Sequence, residues 1–297
     1  MIDFSCKHDY WIRNDDGSLS RMDEPYFRSW KLGEGIWRIL SAGDYSYLVE
    51  GDDEALAIDS GYGAGNIREY MQTLTKQPVR RIANTHHHFD HTANNSYFEM
   101  AYMSEETSKR ATRPFPSFSE IDFPKDYPRT IVKNGDYIPL KGRDIQAFLI
   151  PDHAIGSLAF LDRKGRALFS GDEFMGNRKS IKGGLTSWIR SLERLSEVRG
   201  EFDIMYGGAF TMEASLVDRM LICAKNALKT GGEPAGRPSD FGEHLEDEYD
   251  KNGHPIYDRM RPHPEDRGKS KPEDPGEIRR AVYEDIEIIF NISRLNE

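Results

Sequence analysis

Short apolar runs separated by turn residues fill the first third of the chain. Ile36-Trp37-Arg38-Ile39-Leu40, Tyr45-Ser46-Tyr47-Leu48-Val49 and Ala55-Leu56-Ala57-Ile58 each have the length and composition of a strand. Gly51-Asp52-Asp53, between the last two, signals a hairpin. After Gly65 the period changes. Ile67, Tyr70, Met71 and Leu74 fall at i, i+3, i+4 and i+7, one face of a helix. Arg81-Ile82-Ala83 then predicts a short strand, and Ile145–Ile150, Ser157–Leu161, Ala167–Ser170 and Phe202–Met205 predict four more. Trp188, Leu192 and Leu195 mark an amphipathic helix, and Leu216, Met220, Ala224 and Leu228 share one face of another from about Glu213 to Leu228.

The flanks do not follow this pattern. Residues 1–33 are polar, with turn-forming runs such as Asn14-Asp15-Asp16-Gly17, and read as an N-terminal arm before a core of residues 34–230. Residues 231–280 are rich in glycine, proline and both charge signs, the composition of a lid or an irregular arm. Asp285-Ile286-Glu287-Ile288-Ile289-Phe290 beyond them reads as a strand. The extension 231–297 is therefore expected to return to an ordered body, either the core or a partner subunit.

Composition narrows the function classes. With 30% charged residues and 37% hydrophobic ones, no stretch approaches the roughly 18 apolar residues of a membrane span. The first residues lack the apolar core of a signal peptide, so the cytoplasm is the expected location. Fifty acidic against 40 basic residues give a net charge of -10, which argues against a nucleic-acid binder. Cys6 and Cys223 have no metal-ligand spacing and are expected to be two reduced thiols. A small-molecule substrate is the expected partner, with a homo-oligomer left open.

The chemistry concentrates in Thr85-His86-His87-His88-Phe89-Asp90-His91, directly after a predicted strand and before an expected helix start at Thr92. Residues 86 and 88 of an extended chain point the same way, so two imidazoles converge. Asp90 and His91 fall where the chain turns, and can face a second point a few ångströms away. Three imidazoles and a carboxylate within six residues suit a borderline metal such as zinc.

This segment resembles the HxHxDH signature of the metallo-β-lactamase superfamily, and three further motifs follow the family's order. Ala57-Ile58-Asp59-Ser60-Gly61 resembles its early strand and turn, Pro151-Asp152-His153-Ala154-Ile155-Gly156-Ser157 its Pro-Gly-His-x-x-Gly-Ser turn, and Leu168-Phe169-Ser170-Gly171-Asp172 its strand ending in Ser-Gly-Asp. Ser191–Leu195 resembles the helix before the family's last metal loop. The resemblance implies a four-layer αββα sandwich, an α+β fold, with metals at one edge of the sheets. It implies metal ligands His86, His88, Asp90, His91, His153 and Asp172, with Asp59 buttressing the loop from behind. One or two zinc ions are expected, with iron or manganese as alternatives.

One departure stands out. The family closes this set with a Gly-His-Gly turn, and Gly208 sits where its histidine belongs. The first metal then keeps His86, His88, His153 and the shared Asp172, whereas the second keeps only Asp90, His91 and Asp172. Weaker binding follows at the second position unless another group fills in, and His244, His254 and His263 are candidates in the irregular segment. The implied reaction is hydrolysis of a small-molecule ester, thioester or lactone, with Asp90 orienting the attacking hydroxide. Two other readings remain: mononuclear iron sulfur oxidation of the persulfide dioxygenase type, and a non-catalytic metal-binding protein.

Overall fold

The apolar runs of the first third become neighbouring strands of one sheet. The computed structural model describes residues 11–13, 18–21, 27–41, 44–61, 65–112, 126–235, 256–258 and 278–296. They divide into two units, the first drawn from residues 1–132, 137–145 and 246–269, the second from 133–136, 146–245 and 270–297.

In the first unit, β1 (Trp11–Arg13) and β2 (Leu19–Arg21) precede β3 (Phe27–Gly33), β4 (Ile36–Ser41), β5 (Asp44–Glu50), β6 (Ala55–Ile58), β7 (Val79–Ala83), β8 (Met100–Met103), β9 (Arg129–Ile131) and β10 (Tyr137–Ile138). Strands β3 to β9 form a seven-stranded sheet in chain order. It is antiparallel from β3 to β6 and parallel from β6 to β9. The change comes where α1 (Ile67–Leu74) connects β6 to β7, as parallel neighbours require a crossover. Asn66 starts that helix by accepting the Glu69 N–H. Ile67 and Met71 on its predicted face are buried with Ile39, Leu48, Ala57 and Ile82 of the sheet. Helices α2 (Phe89–Thr92) and α3 (Glu105–Arg110) connect the later strands.

The sheet starts at Phe27, not at residue 34. Strand β3 lies at the edge with half-exposed side chains, so no buried apolar run announces it. Within the expected arm, β1 pairs antiparallel with β2 and parallel with β18 (Ile256–Asp258), which comes from the segment 231–280. The rest of that segment from residue 236 to 277 is outside the described residues, as are His244, His254, His263, Phe241 and Tyr249.

The second unit contains β11 (Ile145–Leu149), β12 (Leu158–Asp162), β13 (Ala167–Gly171), β14 (Arg178–Ser180), β15 (Ile204–Gly207), β16 (Thr211–Glu213), β17 (Glu233–Pro234), β19 (Ile278–Tyr283) and β20 (Ile286–Asn291). One sheet runs β11-β12-β13-β15-β16, another β14-β20-β19-β17. Helix α4 (Leu185–Glu197) buries Trp188, Leu192 and Leu195, and α5 (Ser215–Thr230) buries Leu216, Met220 and Ala224. These side chains form one core with Leu161, Leu168 and Met205 of the first of these sheets and Ile286, Ile288 and Phe290 of β20. The strand expected near the C-terminus therefore packs into this unit.

Phe202, expected to begin a strand, instead caps a short 3-10 turn, and its ring is fully buried. Gly231 ends α5 at φ +76°, a left-handed position that costs glycine little, and donates to the Ala227 carbonyl at 2.8 Å. Cys223 is a buried free thiol, and burial pushes its pKa up to about 11. Cys6 is outside the described residues. Among the described residues no helix is long and apolar enough to cross a membrane.

Candidate metal centre

Each unit carries part of the predicted ligand set at the C-terminal ends of its strands. In the first unit, β7 ends at Ala83 and the chain runs through Thr85-His86-His87-His88 into α2. The helix begins at Phe89, three residues before the expected start, with His88 as its N-cap in extended conformation. Asp90 and His91 thus sit on a helical turn. Thr92 Oγ1 donates to the His88 carbonyl at 2.9 Å, and Ala93 N–H donates to Phe89 O. Asn84 Nδ2 and Ser60 N–H both donate to the His91 carbonyl, tying the turn to the ends of β6 and β7.

Asp59 organises this loop. It is buried, and its backbone has φ +57°, a left-handed conformation uncommon for a residue with a side chain. Its Oδ1 accepts the Thr85 N–H at 2.8 Å, and its Oδ2 accepts the Thr85 hydroxyl at 2.6 Å. Oδ2 also lies 2.9 Å from His91 Nδ1. A carboxylate only accepts, so His91 carries its proton on Nδ1 and presents the lone pair of Nε2. The Thr85 hydroxyl gives its hydrogen to Asp59 and therefore accepts from His86 Nδ1 at 3.1 Å. His86 Nε2 is thereby also left with a lone pair.

His86 Nε2 stands 3.1 Å from His88 Nδ1. Two nitrogens bonded at 2.0–2.1 Å to one tetrahedral ion lie about 3.3 Å apart, so this pair already has a chelating separation. The His86 and His91 rings approach to 4.1 Å between centroids, and His91 Nε2 is 3.6 Å from Asp90 Oδ2. The donor set and its tautomers fit a divalent metal.

In the second unit, His153 Nε2 lies 3.6 Å from Asp172 Oδ2. His153 sits in the turn after β11, and Asp172 directly follows β13. Gly208 follows β15, and its N–H donates to the Gly171 carbonyl at 3.0 Å.

A buried charge cluster underlies this half and was not anticipated from the sequence. Glu173 accepts the backbone N–H groups of Asp152 and His153 at 3.1 and 2.8 Å. Lys179 Nζ reaches Glu173 Oε2 at 3.1 Å and Asp152 Oδ2 at 2.8 Å. Asp152 Oδ1 accepts Lys182 N–H and Gly183 N–H, each at 3.0 Å. Burial pulls the Lys179 ammonium down, but Glu173 and Asp152 outweigh it and hold its pKa above the ordinary lysine value. Burial and the Lys179 charge hold Lys182 below it. The available signal was Asp152 itself, a charged residue where the family's Pro-Gly-His turn has glycine.

Known proteins similar to this chain identify its family. Residues 43–202 match the model of the metallo-beta-lactamase superfamily. An acyl-coenzyme A thioesterase, MBLAC2 of Gallus gallus, is 25% identical over 70% of this chain and 88% of its own. The atrochrysone carboxyl ACP thioesterase of Aspergillus fumigatus is 23% identical over 56% of this chain, which spans about half, 51%, of that relative. A metallo-beta-lactamase family protein of Thermus thermophilus superposes with a TM-score of 0.52 at 18% identity, covering 67% of this chain and 82% of that one. The chain belongs to the metallo-β-lactamase superfamily and has its fold. It is a hydrolase.

Proposed function

We propose that this protein is a metal-dependent thioesterase acting on a small acyl thioester, with coenzyme A as the thiol carrier first to be tested. The observation that carries the reading is the Asp59–Thr85 network, which fixes the Nδ1 side of both His86 and His91 and turns their Nε2 lone pairs toward His88 and Asp90. An outer carboxylate or hydroxyl that fixes the tautomer and ring orientation of an imidazole is the usual support of a ligating histidine. The thioesterase relatives supply the substrate class.

In this reading His86 and His88 would hold one ion and Asp90 and His91 a second, with His153 and Asp172 the candidate ligands carried by the other unit. A bound divalent ion lowers the pKa of a water from 15.7 toward about 7 and polarises the acyl carbonyl. Asp90 accepts a hydrogen bond from the attacking water on a carboxylate oxygen, which fixes its direction. The same carboxylate can pass the proton to the departing thiolate. Asp59 keeps the His91 proton on Nδ1 throughout, so His91 stays an oriented donor of its Nε2 lone pair and takes no proton from the reaction.

The test is release of free thiol from an acyl-CoA series by chelated and zinc- or manganese-reloaded protein. Thiol release that vanishes on chelation and returns with metal is expected. Metal-dependent cleavage of esters or lactones with thioesters untouched would overturn the substrate class. Absence of any metal-dependent hydrolysis would overturn the whole reading.

A further inference from the structure

The pattern of the family leaves this chain one imidazole short at the second metal, and the first unit brings up a different donor. Asp44 opens β5, where it pairs with Ser41 of β4. Strand β5 lies against α2, which carries Asp90 and His91. One ligand atom from each of Asp44, Asp90 and His91 lies within 4.8 Å of the other two. His91 contributes a fixed lone pair on Nε2, since Asp59 Oδ2 holds its other nitrogen at 2.9 Å, and that Nε2 is 3.6 Å from Asp90 Oδ2. The cluster is continuous with the first metal's imidazoles through the His86–His91 contact.

Two carboxylates so close repel each other, and a cation bound between them offsets that repulsion. The His91 imidazole within the same 4.8 Å adds a neutral donor. Bonds of 2.0–2.2 Å to a first-row divalent ion require only that these side chains close by an ångström or so.

We propose that Asp44 is a ligand of the second metal, in place of the histidine that Gly208 replaces. The inference rests on the metal-hydrolase reading above. It also predicts a difference in kind between the two positions. Within the first unit the first position would draw on imidazoles alone, His86 and His88, whereas the second would draw on two carboxylates and one imidazole. Oxygen donors favour harder ions, so the second position takes Mn2+ or Fe2+ more readily, relative to Zn2+, than a histidine-completed site does. Asp44 thereby restores the second site and changes its metal preference.

Apo-protein titrated with Mn2+ and with Zn2+, followed by calorimetry and by the Mn2+ paramagnetic resonance signal, tests this in the full chain. The wild type is expected to bind two ions. Asp44→Ala should keep the first step and weaken the second by at least about 100-fold, more than the 10–100-fold that loss of an outer contact causes. Asp44→His should regain two steps with preference moved toward Zn2+, a shift that repair of a merely structural role would not produce. A thermal melt of each apo-variant checks that it folds. Two unchanged steps in Asp44→Ala would overturn the proposal, leave the metal-hydrolase reading standing and direct attention to His263. A single wild-type step abolished by His86→Ala would also overturn it and leave that reading intact. A wild type that binds neither ion would remove both.

Discussion

Replacing His86 by alanine is expected to remove the first metal and at least about a thousandfold of the hydrolytic rate. A bound ion supplies several kcal/mol through water activation and carbonyl polarisation. At about 1.36 kcal/mol per tenfold, that is three orders of magnitude or more. The loss should be near total because His86 is the imidazole paired with His88 at 3.1 Å and the one whose Nδ1 is secured by Thr85. Asp59→Ala makes a useful contrast. It removes no ligand, but it takes the acceptor from the Thr85 N–H and from His91 Nδ1, both buried. Loss of such an outer partner costs about 10–100-fold in metal affinity or activity. Elemental analysis of the purified variants, together with thiol-release rates, measures both effects. Unchanged metal content and rate in His86→Ala would remove His86 from the site.

The contrast between these residues follows what local sequence can encode. The strands at 36–40, 45–49 and 55–58 were legible because their apolar runs are continuous, and β6 is buried along its whole length. The histidine loop was legible because its donors lie within seven residues. The edge strand β3 was not, since its side chains are half exposed and leave no run to read. Strand β8, Met-Ala-Tyr-Met, consists partly of good helix formers, and only parallel pairing with β7 and β9 makes it extended. The start of α2 was misplaced because Phe89 gives no cap signal. The Thr92 hydroxyl bonding back to the His88 carbonyl fixes that turn.

Contacts between distant segments were the least legible. Asp44 is 46 positions from Asp90, and nothing around it marks a ligand; the packing of β5 against α2 brings the two segments together. The same is true of Glu173 and Lys179. Either one alone reads as an ordinary surface charge after a strand. Only the fold places them together beneath the turn that carries His153, with side chains of Asp152, Glu173 and Lys179 at 3%, 1% and 7% exposure.

That burial makes Lys179→Met the substitution with the largest expected effect on stability, about 3–5 kcal/mol, the range for breaking a buried ion pair from one side. Methionine retains the packing over the Trp188 ring, where the Lys179 Nζ now sits 4.5 Å from the centroid. The loss therefore reports charge and not volume: two carboxylates remain buried without their cation. The pH dependence has a definite sign. The folded-state pKa of Lys179 lies above its ordinary value, so its contribution is fully present at neutral pH and is lost as pH rises through that raised value. Denaturant unfolding should show a constant deficit in the variant near neutrality. The gap should close only beyond the ordinary lysine range of about 10.4, as the wild type loses its own ammonium. A deficit under about 1 kcal/mol at pH 7 would show that water reaches the cluster, because screening by solvent reduces an ion pair to that size. Glu173 holds the N–H groups of Asp152 and His153, so a loosened cluster also frees the His153 turn. Metal affinity in Lys179→Met should then fall along with stability, even though Lys179 is not among the proposed metal ligands.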